Sequence, residues 1–224
     1  MARSRVVITG FGPFPGAAEN SSAWLAKALA DVEAPPGCTL HTEVLPTEWT
    51  EVAARGPRLL QQHRPRVILH LGLSRTAKGF RIERSAHNVI DFREDARGAT
   101  PDKRSVLESG DARLDTAIST AKLARHLRAQ DLPASGSRSA GTYLCNYLYY
   151  LSLHWARTQE MPCDVTFVHI PPGPRAGGRL SEAELLRGAG LIVSYLLAYA
   201  QERDQAKSFA GESAADPAAA AGRL

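Results

Sequence analysis

Apolar residues along this chain come in short continuous runs separated by stretches with helical spacing. Val6 to Thr9 is the first such run, suited to a strand buried on both faces. A turn-rich loop follows, Gly10-Phe11-Gly12-Pro13-Phe14-Pro15-Gly16, carrying two aromatic rings. Asn20-Ser21-Ser22 offers helix caps, and Trp24, Leu25, Ala28, Leu29 and Val32 then mark one helical face. Ala34-Pro35-Pro36-Gly37 stops that helix. Residues 40–45 alternate as a second strand, 50–63 read as a helix, and 66–72 are again a short apolar strand. This succession predicts an α/β domain with a largely parallel, buried sheet.

Residues 73–100 break the pattern and predict an irregular excursion beside the sheet, in which Ile82 and Val89-Ile90 can sit in short strands. The spacing predicts a helix over 115–130, with Leu123 and Leu127 four residues apart, and a loop over 131–141. Leu144, Leu148 and Leu151 predict a helix over 145–157. Residues 164–171 form a strand ending in His169 and then prolines. Ser181-Glu182-Ala183-Glu184 is a capping box opening a last helix to about Glu202. The expected architecture is one three-layer α/β/α sandwich over 1–202, with a twisted, largely parallel central sheet. Residues 203–224, rich in Ala, Gly and Ser, are expected to be a poorly ordered tail.

Composition narrows the partners. The chain has 224 residues, enough for one domain with a substantial core. Its net charge is +4, but the basic residues are scattered among acidic ones, which predicts no nucleic-acid partner. The most apolar later run, 191–200, is far below membrane-spanning length, so no membrane association is expected. The three cysteines Cys38, Cys145 and Cys163 are odd in number and lack metal-ligand spacing. They predict neither a disulfide framework nor a metal, and point to a reducing, cytoplasmic setting.

Three side chains carry candidate chemistry. Cys145 follows a flexible segment and starts a helix, where unpaired backbone N–H groups and the positive end of the macrodipole favour a nucleophilic thiolate. A buried structural cysteine in an apolar helix fits the same spacing. His169 ends a buried strand at the carboxyl edge of the sheet, where ligands of open α/β sheets bind, and a neutral imidazole there can take a thiol proton. Glu83 is a carboxylate able to fix the tautomer of such a histidine, although Arg81 and Arg84 flank it and offer ordinary ion pairs. Asp91 and Arg93 suit a surface ion pair. The loop over 10–16 lacks the lysine and spacing of a phosphate cradle. Its Phe11 and Phe14 suit a small, flat, uncharged ligand, or simply the packing of the loop onto the core.

Four stretches in order resemble the pyroglutamyl-peptidase I family. They are Ile8-Thr9-Gly10-Phe11-Gly12-Pro13-Phe14 with Asn20, Ile82-Glu83-Arg84-Ser85-Ala86-His87-Asn88-Val89, Ser139-Ala140-Gly141-Thr142-Tyr143-Leu144-Cys145-Asn146, and Phe167-Val168-His169-Ile170-Pro171. The resemblance implies a cysteine peptidase, free of metal or organic cofactor, that removes an N-terminal 5-oxoproline from peptides. It implies Cys145 as nucleophile, His169 as general base and then acid, and Glu83 as the orienting carboxylate. Phe11 and Phe14 would sandwich the lactam ring, Asn20 would shape the pocket, and Arg93 would help backbone N–H groups hold the oxyanion. A homotetramer or homodimer is the assembly it suggests.

Several positions depart from the family pattern. Leu73 stands where a glutamine is usual and cannot make an amide's polar contact. The acidic residue expected after Arg93 falls on Ala96, with Asp95 beside it. Pro172-Gly173-Pro174 replaces a more apolar segment. Two other readings follow: a protein that binds a cyclic amide or peptide end without turnover, and a thiol redox protein. The intact trio speaks against the first. Against the second, Cys163 lies eighteen positions from Cys145 and outside any Cys-x-x-Cys pattern.

Overall fold

The computed structural model describes residues 3–215. A six-stranded sheet lies at its centre, in the order β2-β1-β3-β8-β4-β7. The parallel strands are β1 (Ser4–Phe11), β2 (Cys38–Leu45), β3 (Val67–Leu73) and β8 (Asp164–Ile170). β4 (Phe80–Glu83) runs antiparallel to β8 and parallel to the edge strand β7 (Ala134–Ser137). Residues of β3 and β8 are almost all buried, which explains their uninterrupted apolar runs.

Helices cover both faces. α1 (Ser21–Ala30), α3 (Thr120–Arg128) and α5 (Glu182–Ala215) pack with Val6, Ile8, Leu69 and Val168 into one core. α2 (Trp49–His63) and α4 (Leu144–Arg157) pack with Phe11, Ile68 and Phe167 into the other. Two short antiparallel strands, β5 (Ser85–His87) and β6 (Arg113–Asp115), lie beside α4. This is the three-layer α/β/α arrangement expected.

Local differences have local causes. The predicted helix over 115–130 starts only at Thr120, capped by Ser119, because Arg113–Asp115 pairs with β5 and Thr116 Oγ1 accepts the Ile118 N–H in a turn. The predicted loop over 131–141 contains β7, whose sequence Ala-Ser-Gly-Ser has no apolar alternation to reveal an edge strand. Val32 lies beyond the end of α1 and is exposed. Phe11 closes β1 instead of standing in the loop, and its ring is buried.

The capping box at Ser181 forms as expected, with Ser181 N donating to Glu184 Oε2 at 2.8 Å and Glu184 N to Ser181 Oγ at 3.2 Å. α5 then continues to Ala215, past the expected end near Glu202, so helix occupies part of the expected tail. Residues 216–224 of that tail lie outside the described residues. Over Glu182–Ala206 α5 is also long and apolar enough to cross a membrane, contrary to the shorter run read from the sequence. Its apolar face is already occupied: Leu185, Ala189, Ile192, Val193 and Leu196 pack into the core.

Candidate active site

Register on the sheet assembles the site. Side chains two apart on a strand share a face. Gly72 pairs with His169 and His70 with Phe167 across β3 and β8. On the other side of β8, Arg81 of β4 pairs with His169 and Glu83 with Phe167. His70, Gly72, Phe167, His169, Arg81 and Glu83 therefore share one face of the sheet, the face covered by α4, and α4 carries Cys145 in its first turn.

Glu83 is fully buried, and its Oε1 lies 2.7 Å from His169 Nδ1 and 2.9 Å from Arg81 Nε. Both partners that the sequence offered this carboxylate, the histidine and an adjacent arginine, thus meet on one oxygen. Arg84 pairs instead with Asp115. A carboxylate only accepts, so His169 Nδ1 carries the proton of that bond and Nε2 is left for the thiol. Burial works to lower the His169 pKa, but hydrogen bonding with Cys145 and to Glu83 and the negative charge of both outweigh it and hold the imidazole up at about 9. His70, one pair further into the sheet, shows the opposite balance. Burial pushes it down to about 3, and as a neutral ring it bridges Thr9 Oγ1 and Ser152 Oγ, each at 2.8 Å. One histidine ties the layers together; the other is poised between two acids.

Cys145 and His169 open onto a cavity of about 150 Å³, whose walls include Phe11, Phe14, Leu73 and Arg93. Asn20 also lines it, and its side chain holds the loop. Its Nδ2 donates to Gly12 O at 2.9 Å, while its Oδ1 accepts from Ser22 N and Ser22 Oγ as the cap of α1. Thr47 Oγ1 donates to the same Gly12 carbonyl at 2.7 Å, so two side chains fix the peptide between Phe11 and Phe14. Arg93 is largely exposed, bonded through Nε to Asp91 Oδ2 at 3.1 Å, with its guanidinium 4.3 Å over the Tyr143 ring. All seven candidate residues lie in or against this one site.

α4 begins without a side-chain cap, so its first-turn N–H groups are available to an anion at the cavity. Gly141, with φ of +86°, supplies the left-handed turn that brings the chain to that helix. Asn146, next to the cysteine, is a clamp: its Oδ1 accepts from His87 N at 2.8 Å and its Nδ2 donates to His87 O and Val89 O. Asn88 does the same for the following loop, bonding Leu107 and Gly110. Asp95 caps α2 through Trp49 N and accepts from Arg97 N and Ala99 N; those backbone bonds and Arg97 overcome the opposing effect of burial and lower its pKa. Sequence spacing did not reveal these structural duties, because each depends on a partner tens of residues away. Among the described residues no group of three or more His, Cys, Asp or Glu side chains converges as a metal site requires.

Known proteins resemble this chain in sequence and fold. The model of the pyroglutamyl peptidase family matches residues 4–178. The pyrrolidone-carboxylate peptidase of Thermococcus litoralis is 32% identical over 171 residues, 76% of this chain and 77% of its own. Human pyroglutamyl-peptidase 1 is 31% identical over 173 residues, 76% of this chain and 80% of its own. The solved structure of the Thermococcus litoralis pyrrolidone carboxyl peptidase superposes with a TM-score of 0.83 at 27% identity, covering 89% of this chain and 96% of that one. With the family model spanning residues 4–178 and the fold shared over most of the chain, this chain belongs to the pyroglutamyl peptidase family.

Proposed function

We propose that the protein hydrolyses the bond after an N-terminal 5-oxoproline, with Cys145 as nucleophile, His169 as base and acid, and Glu83 as the group that orients His169. The observation that carries this reading is the bond from His169 Nδ1 to the buried Glu83, with His169 and Cys145 both lining the cavity of about 150 Å³ beside Phe11 and Phe14.

The thiolate attacks the pyroglutamyl carbonyl, and the resulting oxyanion is held by the uncapped first-turn amides of α4, with Arg93 as helper. His169, holding the thiol's proton on Nε2, gives it to the leaving amine, and the shortened peptide departs. The acyl group remains on Cys145 as a thioester. His169 then takes a proton from water, which attacks the thioester, and the thiol and free 5-oxoproline are released. Phe11 and Phe14 hold the ring. Their apolar faces accept an uncharged lactam and oppose a free amino terminus, whose charge loses its water there without a partner. Asn20 acts through the loop it fixes.

A free, reactive thiol requires a reducing compartment, which supports a cytoplasmic protein; Cys38, Cys145 and Cys163 are all unbridged. The family resemblance extends the proposal to a homotetramer or homodimer, measurable by light scattering on the eluting species. The activity is tested with a pyroglutamyl-amide of a fluorescent amine, a prolyl-amide control and Cys145→Ser. Selective hydrolysis that the substitution abolishes is the expected result. Absence of turnover by folded, reduced protein overturns the reading.

A further inference from the structure

Beside the cavity at Cys145 lies a second groove of about 450 Å³, walled by Phe14, Pro15, Phe92, Arg93, Glu94 and Tyr143. Phe14, Arg93 and Tyr143 line both, so the groove adjoins the cavity that holds Cys145 and His169. Its surface is aromatic. Phe14 and Tyr143 continue into Phe92, a phenylalanine 45% exposed, with Pro15 beside them. A single exposed phenylalanine needs no explanation. One that completes a contiguous apolar wall beside a nucleophile does.

The wall is built rather than loose. Asp91 N donates to Thr142 O at 2.8 Å, and Tyr143 Oη donates to Glu94 O at 2.9 Å, fastening both sides of Phe92 to the segment that enters α4. Trp49 Nε1 donates to Arg93 O at 3.1 Å. Guanidinium groups lie on two of the rings, Arg93 over Tyr143 at 4.3 Å and Arg104 over Phe92 at 4.9 Å. The rings are therefore already oriented before a ligand arrives, which limits the ordering cost of binding.

We propose that this groove is the binding site for the residue that follows 5-oxoproline in the substrate, and that it favours an aromatic side chain there, with Phe92 as the selecting residue. The inference rests on the activity proposed above. It gives that activity a substrate class: peptides beginning with 5-oxoproline and then an aromatic residue. A ring laid against Phe92 and Phe14 gains an aromatic contact and buries apolar surface that alanine cannot.

The test compares kcat/KM for pyroglutamyl-Phe-Ala and pyroglutamyl-Ala-Ala in wild type, Phe92→Ala and Phe92→Leu, all as the full chain. The expected wild-type preference for the phenylalanyl peptide is about tenfold. It falls about threefold or more in Phe92→Ala, the size of one aromatic contact, and less in Phe92→Leu. Equal rates for the two peptides in wild type, or a preference untouched by Phe92→Ala, overturn the inference while leaving the activity standing. Cleavage of neither peptide overturns the activity and the inference together.

Discussion

Gly72 sets how closely the nucleophile and its base can sit, and Gly72→Ala is the sharpest probe of that packing. The residue lies opposite His169 in the register of β3 and β8. A Cβ at this position would meet Phe167 Cζ at 2.7 Å, Phe167 Cε1 at 2.9 Å and Cys145 Sγ at 3.1 Å. The first two contacts are shorter than carbon atoms tolerate, and Phe167 has nowhere to retreat. It is fully buried between Tyr149, at 5.6 Å between ring centroids, and His169, at 4.9 Å. Overpacking of this kind costs about 1–3 kcal/mol. For a chain of this size that is a fall in Tm of a few to about ten degrees, read by scanning calorimetry. Because Sγ must also give way, kcat is expected to fall about tenfold or more, in line with the sensitivity of such reactions to misplacement. Phe167→Leu removes the atom most strongly opposed, so the double variant is expected to lose about 1 kcal/mol less than the sum of the single losses. A Gly72→Ala protein with unchanged Tm and unchanged kcat would refute this account of the site's packing, as would strictly additive losses in the double variant.

Glu83→Gln keeps an acceptor near His169 but removes the charge that His169 and Arg81 share. It is expected to lower kcat/KM by about a hundredfold or more and to move the pH profile; an unchanged profile would deny Glu83 its orienting part. Stability should also report His169. Its folded pKa is raised to about 9 from 6.5, so its contribution is complete below pH 6.5 and is lost as pH rises from there through 9. Tm measured by calorimetry over that window should fall in wild type and fall less in Cys145→Ala, which removes one of the interactions raising the pKa. Leu73→Gln places an amide in the cavity wall and is expected to lower KM for pyroglutamyl-amides severalfold; an unchanged or raised KM would show that Leu73 does not limit lactam recognition.

Much of this site was legible because strong signals and long-range partners coincided. The apolar runs at β1, β3 and β8 mark buried parallel strands, and His169 at the end of one of them is a position for chemistry in any open α/β sheet. Cys145 was visible as a helix start. β3, β8 and β4 bring His169 and Glu83 to the face of the sheet that α4 covers, beside that cysteine. What spacing left hidden has a common physical cause. β7 is a short edge strand of small residues, so it carries no alternation. β6 and the late start of α3 depend on pairing with β5, thirty residues earlier. Asn146 and Asn88 look like candidate polar chemistry in a motif, but each spends its side chain on backbone groups of another segment, and Asp95 divides its carboxylate between Trp49 N and its own loop. Arg81 illustrates the same limit: an ion pair with Glu83 is local in sequence, while the histidine that shares the same oxygen lies 86 residues away.

In the proposed reaction Cys145 carries the acyl group. The most direct measurement is rapid acid quenching of the enzyme during turnover of a pyroglutamyl ester, followed by intact-mass analysis and peptide mapping. A pyroglutamyl adduct on Cys145 is expected, accumulating at the rate of the first turnover and absent from Cys145→Ser. Turnover with no adduct at Cys145, or with the adduct on Cys38 or Cys163, would contradict it.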